Sequence, residues 1–311
     1  MPLLTMKQIM ADSVKKATSN VDPSERYAVG AFNFSTLEEM LGLVEGARAK
    51  NAPVILMASL GCVKYYHGSL ELVAETAKGI SKLYPEVPIC LHLDHAKDLE
   101  QIKQAVVAGF TNVMIDASQE TFEDNIAKSK EIADFAHRHS PYGIDGCSVE
   151  AELGMLAGHE DEVHVSEDGK AYTDPTKVHE FVEKTGIDAL AVAIGTAHGY
   201  YTAPPKIRFD LLEQIRRETD IALVLHGGTG VPEEDFRKCV AMGMSKINVG
   251  TALKKVFTDG VKAALAKNPD ESDPRKVVGP GREAVSQTIQ RNCDLFNCTD
   301  KAPMILRSIY A

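Results

Sequence analysis

Ile89-Cys90-Leu91-His92-Leu93-Asp94-His95 is an apolar run that closes abruptly on a carboxylate and an imidazole. A short apolar run bounded by polar residues reads as a buried parallel strand, and in a barrel of such strands the functional groups collect where the strands end. Two later stretches finish in the same way, Ala189-Leu190-Ala191-Val192-Ala193-Ile194-Gly195-Thr196-Ala197-His198 and Ala222-Leu223-Val224-Leu225-His226. Three apolar strands, each delivering one histidine at its C-terminal end, point to a three-imidazole metal site with an open position, as zinc enzymes build it. In a regular strand Asp94 and His95 would face opposite ways, so the chain must already be turning there.

Outward from that stretch the sequence keeps a beat. Strand-like runs are predicted at 27–33, 53–59, 89–95, 112–118, 147–153, 189–195, 222–228 and 246–251, with helix-period segments between them, such as 36–50, 69–83 and 123–137. Strands alternating with helices predict an α/β fold, a (β/α)8 barrel of the TIM-barrel class, with the doubly wound open sheet as the lesser alternative. The pattern over 5–19 fits a short amphipathic helix across the barrel's bottom. The connections over 154–175 and 200–208 are long, and the first holds the acidic segment HEDEVHVSEDG. Loops of that length are usually functional. After the last strand, 252–267 reads as a helix, NPDESDPR as a turn and 281–296 as a closing helix. Residues 1–302 are expected to form one barrel domain, and 303–311 a tail with no clear pattern.

The chain has 311 residues, 44% hydrophobic and 25% charged, and barrels of this kind reach that length as one unit. A formal charge of -10 argues against nucleic acid as a partner, because phosphate backbones call for a basic face. Cys62, Cys90, Cys147, Cys239, Cys293 and Cys298 form no CxxC pair and read as reduced thiols. With no leader-like opening and no long apolar run, the expectation is a cytoplasmic protein without a membrane partner.

The segments YAVGAFNF, PVILMAS, LHLDH, MIDAS, SVEAELG, AVAIGTAHGYY, LVLHGGTG, KINVGTALK and NPDESDPR, in this order along nearly the whole chain, give it a resemblance to the class II (zinc-dependent) ketose-bisphosphate aldolases. It resembles most the tagatose-1,6-bisphosphate aldolase and class IIb fructose-bisphosphate aldolase branch. The resemblance implies reversible aldol cleavage of a phosphorylated ketose, tagatose or fructose 1,6-bisphosphate or a related sugar phosphate, to dihydroxyacetone phosphate and an aldehyde such as glyceraldehyde 3-phosphate. It implies Zn2+ on His95, His198 and His226, stabilising an enediolate. Asp94 would exchange the proton of the C4 hydroxyl, and Glu160 would exchange the proton on the dihydroxyacetone phosphate carbon. Glu152 and Asp116 match second or alternative metal positions, for a second divalent or a monovalent cation, or carboxylates that orient the imidazoles.

By the same resemblance, Gly199, Gly227, Gly228, Thr229, Asn248, Val249, Gly250 and Thr251 form a cradle for the ketose 1-phosphate, where glycine lets backbone N–H groups close on oxyanions. Arg275 matches the arginine for the distal phosphate, and Asn33 and Ser59 match polar substrate contacts. The sequence departs from the family pattern in three places. Ala157-Gly158 stands where a Gly-Gly pair is usual, and Thr202 and Gly250 stand where the fructose branch has a lysine and an acid or amide. The last two agree better with the tagatose branch or a relative with another sugar. The resemblance also implies a homodimer or homotetramer, with a non-catalytic companion subunit in some relatives.

Other readings stay in view. A zinc-dependent hydrolase on the same barrel could use three histidines and an aspartate to activate water, and some sugar-phosphate barrels serve as non-catalytic companions. A Schiff-base aldolase is disfavoured because ALAVAIG carries no lysine and Lys246 is expected to begin the last strand, at the wrong end of the barrel. HEDEVHVSEDG could be an acidic solvated loop, Arg275 could fasten the C-terminal segment, and His92 is expected to be structural.

Overall fold

The computed structural model describes residues 3–139, 146–160, 163–165, 171–201 and 205–310, with the backbone alone described for 157–160 and 163–165. In chain order the strands are β1 Val29–Asn33, β2 Val54–Ser59, β3 Ile89–Ala96, β4 Asn112–Ile115, β5 Ser148–Leu153, β6 Ala157–Glu160, β7 Val163–Val165, β8 Ala189–Val192, β9 Ala197–His198, β10 Ala222–Leu225 and β11 Met244–Val249. Among the described residues, eight of them close a barrel in the order β1-β11-β10-β8-β5-β4-β3-β2, every neighbour parallel. All residues of these eight strands are buried. Walls on both faces explain why they read as continuous apolar runs instead of alternating ones. The expected barrel is the observed one, and each predicted strand falls on a barrel strand.

The helices are α1 Met6–Thr18, α2 Leu37–Ala49, α3 Leu60–Tyr65, α4 Leu70–Leu83, α5 Leu99–Ala108, α6 Phe122–Ala136, α7 Pro175–Thr185, α8 Phe209–Glu218, α9 Glu233–Ala241, α10 Thr251–Lys267, α11 Pro274–Leu295 and α12 Ala302–Tyr310. Local chemistry sets their starts. Thr36 accepts from the Glu39 amide while the Glu39 carboxylate accepts from the Thr36 amide, a capping box that starts α2 directly above β1. Asp98 accepts from the Glu100 and Gln101 amides and Thr121 from the Asp124 amide, which caps α5 and α6. Helix α1 plugs the N-terminal end of the barrel. Leu4 N–H donates to the Ile89 carbonyl (2.8 Å), Lys7 N–H to Ser148 Oγ (3.1 Å), and Met6, Ile9 and Met10 are buried.

Three segments differ from the sequence expectation. NPDESDPR is not all turn, because Asp273 accepts from the Arg275 amide and Pro274 takes the first helical position, so α11 begins there and continues through Pro280. It lies between α10 and α2, and contact this close accounts for Gly46 on α2, where an added Cβ would sit 2.5 Å from the Ser286 carbonyl oxygen. The last residues, expected as a patternless tail, form α12, which packs on α1 and buries Ala302 and Ile305. The long connection after β5 carries strands of its own: β6 pairs antiparallel with β7 and parallel with β9. A polar hairpin lacks the apolar periodicity that marks a strand in sequence.

Candidate active site

The turn expected at Asp94 and His95 is present. His95 has φ +47° and the register of β3 against β4 shifts between Leu93 and Ala96, so two consecutive side chains both serve the barrel mouth. Asp94 accepts from Asn33 Nδ2 at 3.0 Å, from the end of β1, and its other oxygen lies 3.7 Å from His92 Nε2. Burial pushes the Asp94 carboxyl up, but the His92 contact and the nearby His95 and His226 imidazoles hold it well below the ordinary carboxylate range. These surroundings favour the ionised form of Asp94. His92 is structural in the sense expected, lying beneath Asp94 and bonded through Nδ1 to Asn112.

The three histidines converge. The ring nitrogens of His95, His198 and His226 lie within 4.8 Å of one another, all three residues buried. His95 Nε2 and His226 Nδ1 are 2.9 Å apart, and the His95 and His198 ring centroids are 4.7 Å apart. His198 does not end a barrel strand, as its sequence predicts: β8 stops at Val192 and His198 comes from β9. Tyr201 holds that segment in place, its hydroxyl accepting from Ala197 N–H (2.8 Å) and donating to the Gly227 carbonyl (2.7 Å). Gly227 is required there, with φ +68° and the Ala197 carbonyl oxygen 2.3 Å from where a Cβ would stand.

Acidic groups surround this cluster. Asp116 Oδ2 lies 3.2 Å from His95 Nδ1, and the ligand atoms of His95, Asp116 and Glu152 also lie within 4.8 Å of one another. Burial works against charge on His95, yet Asp116, Asp94 and Glu152 raise its pKa to about 10. Burial and the Asp116 charge push Glu152 up to about 8. His198 goes the other way, driven well below its ordinary value by burial and by His95 and His226. Without a metal, a proton shared between His95 Nε2 and His226 Nδ1 accounts for their contact; the same three buried imidazoles form a donor set of the kind that suits zinc.

The structure corrects the place of Lys246. It is the third residue of β11, wholly buried inside the barrel, with Nζ 2.8 Å from Glu150 Oε2; the other Glu150 oxygen is 2.8 Å from His226 Nε2. Glu150 was not among the residues the sequence singled out. The available signal was SVEAELG itself, whose two acids at i and i+2 share one face of a strand buried on both sides, so each needs a partner.

The loops after β10 and β11 meet. Gly228 N–H is not spare, however, because it donates to the Asn248 carbonyl (3.0 Å); its contribution is close approach of the two loops, where a Cβ would lie 2.5 Å from that oxygen. Thr229 Oγ1 accepts from Ala252 N–H (3.2 Å), Gly250 is the N-cap residue of α10 and Thr251 its first residue, so that helix's N-terminus opens beside Gly227, with buried Val249 behind it. Gly199 follows His198 with φ +87°. Asn248 turns its amide inward, 3.2 Å from His226 Nε2. Ser59 ends β2 beside Asp94 in register and accepts from Cys62 N–H. Arg275 stands apart: it is exposed, paired with Asp273 at 2.9 Å. The length of α10, about 25 Å, separates the cradle from the turn that precedes Arg275. The Glu160 backbone ends β6, whose Gly158 pairs with His198, but its side chain lies outside the described residues, as does Thr202.

Residues 12–301 match the family described as fructose-bisphosphate aldolase class-II. The chain belongs to that family. The fructose-bisphosphate aldolase of Staphylococcus aureus strain Mu50 is 40% identical over 97% of this chain and 100% of its own length. That of Geobacillus stearothermophilus is 41% identical over 97% of this chain and 99% of its own. Among solved structures, the YdjI aldolase of Escherichia coli K12 superposes with a TM-score of 0.77 at 31% identity, covering 96% of this chain and 99% of that one. The protein is thus a class II aldolase, an aldehyde-lyase that reversibly cleaves a ketose bisphosphate, in a family that depends on zinc. Among the described residues, no helix of this aldolase is long and apolar enough to cross a membrane.

Proposed function

We propose that His95, His198 and His226 hold the catalytic zinc and that Asp94 is the general base of cleavage. The observation that carries this reading is the convergence of three buried imidazoles beside the Asp94 carboxylate that Asn33 orients. When bound, zinc supplies Lewis-acid polarisation of the substrate's oxygens. Asp94, aimed by Asn33, takes the proton of the C4 hydroxyl; the electrons so released form the aldehyde carbonyl as the C3–C4 bond breaks, the pair of that bond stays on C3 of the dihydroxyacetone phosphate fragment and takes up a proton there, and in condensation Asp94 returns its proton. Glu160 exchanges the proton on the dihydroxyacetone phosphate carbon, a role supported by the pairing of its strand with the His198 segment. The meeting loops at Gly199, Gly227, Thr229, Asn248, Gly250 and Thr251 receive the 1-phosphate, with Ser59 and Asn33 beside the sugar.

The substrate is a ketose 1,6-bisphosphate. The fructose name of the relatives supports fructose 1,6-bisphosphate, whereas Thr202 and Gly250 favour its tagatose epimer. His95, Asp116 and Glu152 offer a place for a second cation. A homodimer or homotetramer in the cytoplasm, with or without a companion subunit, completes the reading; the six free, buried cysteines suit a reducing compartment. The test is release of dihydroxyacetone phosphate from each bisphosphate by the purified chain, before and after chelation and after zinc is restored. Cleavage lost on chelation and regained with zinc is the expected result. Cleavage untouched by a chelator that strips the metal would overturn the zinc assignment.

A further inference from the structure

Glu150 and Lys246 form an ion pair with no solvent exposure on either side chain, inside the barrel and one layer below the imidazole cluster. Burying two charges is costly, and a well-packed apolar pair of the same volume often serves stability as well or better. The geometry points to a use. Both oxygens of Glu150 are engaged, one with Lys246 Nζ at 2.8 Å and one with His226 Nε2 at 2.8 Å. An ionised carboxylate only accepts hydrogen bonds, so that contact places the ring proton on Nε2 and leaves the lone pair on Nδ1; the Asn248 amide, 3.2 Å from the same Nε2, fits this tautomer when it is turned so that its otherwise unpartnered oxygen faces the ring. Nδ1 is the nitrogen that faces the cluster, 2.9 Å from His95 Nε2.

We propose that Glu150, held in place by Lys246, is a positioning residue that fixes the His226 tautomer and aims its Nδ1 lone pair at the metal site. His95 has the same arrangement with Asp116 behind its Nδ1, but Asp116 also lies within reach of a cation, whereas Glu150 is spent entirely on its two partners. Lysine suits the far side of the carboxylate because it can only donate, which prevents the carboxylate from rotating away from His226. The proposal rests on His226 being a zinc ligand.

Glu150→Gln separates this role from simple packing. Lys246 would claim the amide oxygen, turning the NH2 group toward His226 Nε2 and favouring the opposite tautomer. Adding Lys246→Met frees the amide to turn its oxygen back to the ring. The readouts are the tautomer of His226 in the metal-free protein, from 15N-histidine NMR with His226→Asn for assignment, and zinc affinity by competition with a chromophoric chelator. Expected are an Nε2-protonated His226 in the wild type, a shift to Nδ1 with a loss of zinc affinity of about 10–100-fold in Glu150→Gln, and recovery of both in the double variant. An Nδ1-protonated ring in the wild type, or a folded Glu150→Gln protein with wild-type zinc affinity, overturns the proposal. If Glu150→Gln does not fold, the wild-type spectrum and the double variant decide it. His226→Ala binding zinc as tightly as wild type would instead remove the ligand assignment beneath it.

Discussion

The two ends of the barrel gather different buried polar groups. At the mouth, Asn33 Oδ1, Asp94 Oδ1, Glu152 Oε2 and Asn248 Oδ1 are buried without a hydrogen-bond partner among the described residues, and His95 sits in the left-handed region. At the bottom, one buried carboxylate has three partners: Asp188 accepts from Val149 N–H (2.9 Å) and meets His137 Nε2 (2.8 Å) and Lys7 Nζ (3.3 Å). Unpartnered buried atoms occur at the bottom too, among them Tyr27 Oη, Ser245 Oγ and Arg216 Nε, so the mouth is marked by its cluster of imidazoles and carboxylates and not by unpaired atoms as such. The mouth is built for chemistry and the bottom for holding the strands together, the division expected of this barrel.

The sharpest way to break that contrast is at the mouth. His226→Ala should lower zinc affinity by more than about 100-fold, beyond what loss of an outer partner costs, and abolish cleavage; a variant with full zinc content and activity would contradict it. Asp94→Asn should keep its zinc, measured by elemental analysis, while kcat falls about 10²–10⁴-fold.

At the bottom, Asp188→Asn should leave kcat and KM unchanged but lower unfolding stability by about 1–3 kcal/mol, read from the urea midpoint. Burial opposes the Asp188 charge, but His137 and the Val149 amide outweigh it and lower its pKa. Its stabilisation is therefore present above the ordinary carboxylate value and is lost as pH falls through the folded value. The gap between wild type and Asp188→Asn should close below about pH 4. The smallest effect is expected from Thr5→Ala, which removes the capping box of α1 and should cost about 1 kcal/mol with unchanged kinetics. A kinetic effect from either bottom substitution would blur the division.

The sequence showed the barrel and its mouth more clearly than the inside of the barrel. His95 and His226 were legible because an apolar strand that stops on an imidazole leaves a local trace. His198 was legible as a member of the histidine cluster but not as part of β9, since two residues pairing with a distant hairpin leave no periodic pattern. Lys246 and Glu150 were hidden for a related reason: a lysine two residues into a short strand reads as its boundary, and only three-dimensional closure shows that it meets an acid three strands away in the sheet. Helix α11 starts ahead of the predicted 281–296, because packing against α10 and α2 carries the helix through Pro280. Arg275 matched a motif, and within one chain it is exposed and paired with Asp273.

The most direct measurement is anomalous diffraction at the zinc edge from crystals of the zinc-reconstituted protein. A peak about 2.0–2.1 Å from His95 Nε2, His226 Nδ1 and a ring nitrogen of His198 is the predicted result. Active, zinc-replete crystals with no peak between those three rings would contradict it.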